Sequence, residues 1–338
     1  MDYGIGIGGP LQMIGPMAKM VEDAGFESCW AAETTSTAFV QATLATQATT
    51  SIKIGTSIAL AFPRSPTITA MTAWDLDGLS GGRFICGLGS QVKRIVEERF
   101  SVRPFEHPAP KLREYAQVMR TIWATNRGEK GLKHEGRFYQ VTRPDFGSPP
   151  PEPDRRFPPV YFAAVGALMS KMCGEVADGL IAHPLASPRY LSEVVRPAIA
   201  EGAAKAGRKP EECNLTAAPM ISISDDVDLA RREVKLQIAF YATTRTYKKI
   251  LELHGYAELV PELRSAFEAR DNERMTELIP DELCDAIACA GPAAEVKEKV
   301  KQWEGIADRV SVGGPWYGQR PERLFENYQA LVETFGQS

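Results

Sequence analysis

The sequence predicts an α/β protein: a (β/α)8 (TIM) barrel over residues 1–338, with insertions after the fourth helix and after the seventh strand. Two observations carry that expectation. Short β-branched or apolar runs alternate with longer stretches of helical period until eight such units are counted. No G-x-G-x-x-G follows the first run, as a doubly wound nucleotide-binding sheet would require; Gly4-Ile5-Gly6-Ile7-Gly8-Gly9 sets its glycines at period two, within the strand itself.

The first strand runs from Tyr3 to Gly8, after which Leu11, Ile14, Met17, Ala18 and Val21 fall at helical spacing until Gly25 stops them. Glu27 to Ala32 reads as the second strand and Ala38 to Thr49 as its helix. Ile52 to Leu60 is the third strand. Pro66 then opens a helix to about Leu79, closed by Ser80-Gly81-Gly82. Arg83 to Gly89 is the fourth strand, followed by a helix from Lys111 to about Thr125 with Leu112, Tyr115, Met119, Ile122 and Trp123 on one face. Residues 126–158 break the rhythm with Gly, Pro and charge, and hold a small hairpin around His134 to Tyr139. Pro159 to Val165 is the fifth strand, with Leu168, Met169, Met172, Cys173 and Val176 on its helix. Gly179 to His183 is the sixth, with a helix from Tyr190 to Ala206, and Asn214 to Ile223 is the seventh. Residues 225–285 form a second, mainly helical excursion, a candidate lid. A helix from Gly291-Pro292, an eighth strand from Arg309 to Gly313 and a terminal helix through Leu324, Phe325, Tyr328 and Leu331 complete the pattern.

Composition narrows the class. Hydrophobic residues make up 44% and charged residues 24%, the balance of a soluble globular chain. A net charge of -4 with no Lys/Arg-rich face argues against nucleic acid as a partner. No apolar run approaches a membrane span, and Met1-Asp2-Tyr3-Gly4 lacks the regions of a signal peptide, so a cytoplasmic protein with no membrane partner is expected. The six cysteines form no C-x-x-C pair and the four histidines are scattered, so no metal site is expected.

In a barrel, chemistry collects at the carboxyl ends of the strands. Those ends offer Glu33-Thr34-Thr35, then Gly55-Thr56-Ser57-Ile58 running on to Arg64, then Gly87-Leu88-Gly89-Ser90-Gln91. Ala163-Ala164-Val165-Gly166, His183-Pro184 and Gly313-Gly314-Pro315-Trp316 follow. This rim has no paired carboxylates and no Ser-His-Asp set. It is small, glycine-rich and weakly polar, which suits a large planar cofactor that carries the hard chemistry itself. Blander readings stand beside each residue: Glu33 as a surface acid, His183 as a satisfied histidine beside Pro184, and Gly87 to Gly89 as a tight turn. Lys93 and Arg94 fit a solvated helix face or contacts to an acidic cofactor tail. Arg64 fits a neighbouring carboxylate or a ligand, and Tyr241, Arg245, Tyr247 and Lys248 fit helix filler or a lid.

The run from Ala24 through Trp30 to Glu33 resembles the helix-to-second-strand segment of luciferase-like flavin enzymes, as does Ile54-Gly55-Thr56-Ser57-Ile58 with Pro63-Arg64-Ser65-Pro66. Leu76 to Phe84 with Gly87-Leu88-Gly89-Ser90 is the most diagnostic stretch, and Gly174 to Gly179 matches the turn into strand six. Within that family, Gly89 to Lys93 and Ala163 to Gly166 look most like the branch using the deazaflavin coenzyme F420. The resemblance implies hydride transfer between F420 and a small organic substrate. An FMN-dependent monooxygenase fed by a separate reductase is the alternative within the fold, and a non-catalytic flavin-type ligand binder the alternative of another class. It implies cofactor contacts from Thr34, Ser57, Ile58, Gly89, Ser90, Gln91, Ala164, Val165 and Gly166, with a non-prolyl cis peptide at Ser57-Ile58. Glu33 and His183 are the candidate catalytic residues. Members acting on sugar phosphates carry Asp-His and a later Glu where this chain has Glu33-Thr34 and Val92, which argues against such a substrate. A homodimer is expected from apolar helices outside a barrel.

Overall fold

A computed structural model describes residues 1–129, 131–143 and 152–337. Eight parallel strands make the barrel: β1 (Asp2–Ile7), β2 (Ser28–Ala31), β3 (Lys53–Thr56), β4 (Phe84–Gly89), β5 (Val160–Ala164), β6 (Gly179–Ala182), β7 (Asn214–Ala217) and β8 (Arg309–Val312). Each pairs with the next, and β8 returns to β1 through Asp2 opposite Arg309 and Ile5 opposite Val312. Closure removes the sheet edges, and helices cover the outside. The helix Pro66–Ser80 shows how sequence sets these elements. Ser65 Oγ accepts the Ile68 N–H at 3.1 Å, Pro66 occupies the first turn, and Gly81 ends the helix at φ 66°.

Of the period-two glycines of β1, Gly4 has a packing cause, which Gly55 of β3 shares. Trp30, Ile85, Tyr161 and Ile181 form a cluster apart from the main core, inside the barrel. A Cβ on Gly4 would lie 2.6 Å from Trp30 Nε1, and one on Gly55 2.3 Å from the indole ring. Only glycine leaves room for that side chain. Toward the amino-terminal end, Glu27 accepts from Arg309 Nε at 2.7 Å and from Nη2 at 2.8 Å, with the guanidinium 5.6 Å from the Trp30 ring. The barrel is therefore filled below its carboxyl-end mouth.

Two strands depart from expectation. The seventh ends at Ala217, because Pro219 offers no N–H to the ladder. Met220–Ile223 instead pairs in parallel with Ala288–Gly291, a strand the sequence did not announce, and Met220 bridges to Gly313. The third is interrupted at Ser57-Ile58, a non-prolyl cis peptide, after which Ala59–Leu60 pairs with Leu88 and Gly89. The small hairpin forms between His134–Glu135 and Gln140–Val141; within the first excursion, residues 130 and 144–151 lie outside the described residues. The second excursion holds the helices Val227–Ala242, Lys248–Leu253, Val260–Glu268, Asn272–Glu277 and Asp281–Ile287. All six cysteines are buried and free, packed as small hydrophobes. Among the described residues no helix is long and apolar enough to cross a membrane.

Candidate active site

The corner between β2, β3 and β4 is tied together by Glu33. Its backbone N–H donates to the Ile58 carbonyl at 3.2 Å. Its Oε2 accepts from Leu60 N–H at 2.7 Å and from Arg64 Nη1 at 2.8 Å, while Oε1 accepts from Arg64 Nη2. Arg64 Nη1 also donates to the Leu60 carbonyl at 3.0 Å. Glu33 is thus no surface acid: its side chain is only 6% exposed, and both oxygens are committed within the protein. Arg64 takes the neighbouring carboxylate. Below this corner, Thr56 Oγ1 donates to the Gly87 carbonyl at 2.6 Å and accepts the Gly87 N–H at 2.9 Å, which locks β3 onto β4.

These contacts aim Ile58 into the barrel, where it packs on the Trp30 cluster. A Cβ on Gly89 would lie 2.0 Å from Ile58 Cδ1 and 3.5 Å from the Ala163 Cβ. The open side of Gly89 is therefore filled by Ile58, and Gly89 shapes the mouth through that side chain. The same alternation separates Ala163 from Ala164. Ala163 faces Gly89, whereas the Ala164 methyl packs in the outer core. Space is found elsewhere on the rim. A Cβ on Gly8 or Gly313 would meet nothing within 4 Å, and one on Gly6 only the Trp30 carbonyl oxygen at 4.0 Å. Open space thus lies above Trp30 along β1 and β8.

Loops close around it. Ser90 Oγ donates to the Gln91 carbonyl at 3.2 Å, and Gln91, at φ 58°, accepts the Val92 N–H on its side chain at 2.9 Å. Lys93 and Arg94 stand on a solvated face, paired with Glu97 at 3.8 Å and Glu98 at 3.0 Å. From the same loop, Arg99 Nη2 donates to the Thr34 carbonyl at 2.8 Å, joining the loops after β2 and β4. Past β5, Val165 is partly exposed, and Gly166, at φ 81°, starts the helix Ala167–Val176 with no side-chain cap. Its leading amides are free to meet an anion.

His183 follows β6 beneath an aromatic wall. Its ring centroid is 4.0 Å from that of Tyr247 and 4.6 Å from that of Tyr241. Leu185 N–H donates to Nδ1 at 3.2 Å, which assigns the ring proton to Nε2. Burial lowers the imidazole pKa to about 3, so the ring is a neutral donor near pH 7 rather than a titrating acid. Tyr241 OH accepts from Trp316 Nε1 at 3.2 Å, and Phe240 stacks on Tyr317 at 4.2 Å. Gln237, on the same helix, accepts the N–H groups of Trp316 at 2.8 Å and Tyr317 at 2.7 Å. The second excursion is thereby fastened over β6 and β8. The aromatic run from Phe240 to Tyr247 signalled this wall; nothing in the sequence singled out Gln237.

The luciferase-like monooxygenase model matches residues 4–309, from β1 to the first residue of β8. The chain belongs to the luciferase-like monooxygenase family. Three relatives show the range of similarity. An uncharacterized protein of Mycobacterium tuberculosis is 40% identical over 299 residues, 87% of each chain. The 5,10-methylenetetrahydromethanopterin reductase of Methanopyrus kandleri is 29% identical over 329 residues, covering 93% of this chain and 91% of that one. The solved coenzyme F420 dependent tetrahydromethanopterin reductase from Methanopyrus kandleri superposes with TM-score 0.82 at 27% identity, over 99% of this chain and 97% of that one. The luciferase-like match covers the Glu33 corner, the β4 turn, Gly166 and His183, and stops short of Trp316.

Proposed function

We propose that the chain is an oxidoreductase that binds coenzyme F420 across the barrel mouth and transfers a hydride between it and a small organic substrate. The observation that carries this reading is the whole-chain likeness to a reductase described as F420 dependent. The chain's own residues fit such a group. The open space at Gly6, Gly8 and Gly313 would admit a flat ring against backbone, with Ile58 as an apolar floor. Thr34, Ser57, Ser90 and Gln91 would supply polar contacts at its edge. The uncapped helix start at Gly166, with Val165 and the Ala164 backbone before it, would take a phosphate. When bound, the deazaflavin supplies a carbon centre that gives or accepts a hydride.

The remaining work belongs to this chain. Glu33 acts as a positioning residue: it holds the 57–60 segment through Leu60 and Arg64 and keeps Ile58 under that open space. His183, neutral and protonated at Nε2, donates a hydrogen bond to a ligand oxygen without changing charge. Tyr241, Tyr247 and Trp316 exclude water on that side. The test is a parallel titration of the protein with F420 and FMN at matched salt. Preference for F420 is expected. Preference for FMN would replace the reading with a reductase-fed monooxygenase, and binding of neither would overturn the site.

We also propose a homodimer. Val40, Ile68, Met71 and Leu79, 46–55% exposed on the helices Ala38–Ala48 and Pro66–Ser80, leave a large apolar area in water. Sedimentation should give a dimer that Ile68→Glu with Met71→Glu dissociates. A wild-type monomer would sink the idea.

A further inference from the structure

A cavity of about 470 Å³ opens on the second excursion, between the turn Arg245–Tyr247 and the helix Val260–Glu268. Its lining is largely apolar and carries three cations, Arg245, Lys248 and Arg264, with one carboxylate, Glu258. Among the described residues, neither Arg245 nor Arg264 has a carboxylate within 4.0 Å. Arg264 is instead aimed by Nε donation to the Thr243 carbonyl at 2.8 Å, and Lys248 reaches Glu252 only at 3.7 Å. The helix at the floor has Pro261 in its first turn and runs on from the turn Ala257–Leu259, whose Ala257 carbonyl already accepts the Val260 N–H. The acid of that first turn, Glu262, is engaged away by Arg274. Arg245 and Arg264 thus leave positive charge in a concave site that an entering anion would neutralise.

One turn of chain links the cavity to the mouth. Tyr247, in the turn whose Arg245 lines the cavity, is the residue whose ring lies 4.0 Å from His183. We propose that this groove binds the oligo-anionic part, carboxylate or phosphate, of a ligand whose reacting end lies in the mouth. Two sources share that chemistry: the acidic side chain of a deazaflavin coenzyme, which rests on the reading above, and the acidic end of a separate substrate.

The experiment compares the wild-type chain with the double variant Arg245→Glu, Lys248→Glu, both positions being exposed and outside the catalytic machinery. A thermal melt checks that both are folded. Calorimetric affinity is measured for F420, for a truncated 8-hydroxy-5-deazaflavin lacking phosphate and glutamates, and for inorganic pyrophosphate alone. A loss of about tenfold or more for F420, with truncated deazaflavin unchanged, supports the groove and makes the coenzyme chain its occupant. The same loss for pyrophosphate with F420 unchanged supports it with a separate anion as occupant. Either loss should shrink as salt rises. Failure of both F420 and truncated deazaflavin to bind the wild type would overturn the coenzyme reading, while the pyrophosphate arm would still decide the groove. Unchanged affinity for both anions, or an equal loss for truncated deazaflavin, would overturn the groove.

Discussion

Removing the Glu33 carboxylate tests the positioning argument most directly. The Glu33 and Arg64 side chains are 6% and 20% exposed, and the carboxylate meets two guanidinium nitrogens and the Leu60 N–H. Taking away one partner of a buried pair costs about 3–5 kcal/mol, and the partial exposure of Arg64 sets Glu33→Ala near about 3 kcal/mol. Glu33→Gln retains an oxygen for Leu60 but turns an amide donor toward the guanidinium, so it should cost about 1–2 kcal/mol. Urea unfolding followed by tryptophan fluorescence reads these differences. If Glu33 acts through Arg64, then Arg64→Leu and the double variant should lose about as much as Glu33→Ala alone, giving a strong coupling in the cycle. Ligand affinity should fall about tenfold, since Leu60 and Ile58 are no longer held. The pH profile of turnover should keep its shape. The reasoning is refuted if Glu33→Gln keeps stability and affinity while abolishing turnover and removing one limb of that profile. Glu33 would then be the proton carrier.

Gly89→Ala should fold yet bind ligand more weakly, because its Cβ, 2.0 Å from Ile58 Cδ1, drives Ile58 into the mouth. Adding Ile58→Ala should restore part of the affinity, and no restoration would refute the route through Ile58. Gly87→Ala should destabilise by about 3 kcal/mol or abolish soluble expression, since its Cβ would lie 1.7 Å from the Thr56 carbonyl oxygen. Gly8→Ala, with nothing within 4 Å, should unfold at nearly the wild-type urea midpoint, and similar behaviour of the two would contradict the packing. For His183, the unfolded imidazole titrates near about 6.5 and the folded one at about 3, so between these values the unfolded state binds more protons. Its contribution is full above that window and is lost as pH falls through it, at up to about 1.4 kcal/mol per unit. His183→Phe should flatten the urea midpoint between pH 7.5 and pH 5 relative to wild type; identical slopes would remove the burial argument.

The eight-strand alternation was legible because each barrel strand is a short apolar or glycine-spaced run bounded by turn residues. What the one-dimensional pattern could not carry was the partner of each strand. Met220–Ile223 has the composition of a barrel strand but follows Pro219, and its partner Ala288–Gly291 is a run of small residues with no β-branched member. The candidate site was legible as positions rather than as directions. Counting to strand ends found Glu33, Gly89, Gly166 and His183. Side-chain orientation then turned Glu33 toward Arg64, filled the face of Gly89 with Ile58, and sent Ala164 outward while Ala163 faced in. The depressed pKa of His183 depends on Tyr241 and Tyr247, which lie dozens of positions away, and so it was beyond any local reading.

The small parallel pair formed by Met220–Ile223 and Ala288–Gly291 has an architectural consequence. Ser224 N–H donates to the Gly291 carbonyl at 3.1 Å, so the intervening helices leave and rejoin the protein at adjacent strands, about 5 Å apart. The cost of closing such a loop grows only slowly with its length, and its ends are fixed whatever lies between them. The helices that carry Tyr241, Tyr247 and the cationic groove therefore form an exchangeable cassette. Swapping that cassette, with Gln237 kept against Trp316 and Tyr317, should change substrate preference and leave the register of the eight barrel strands as it is.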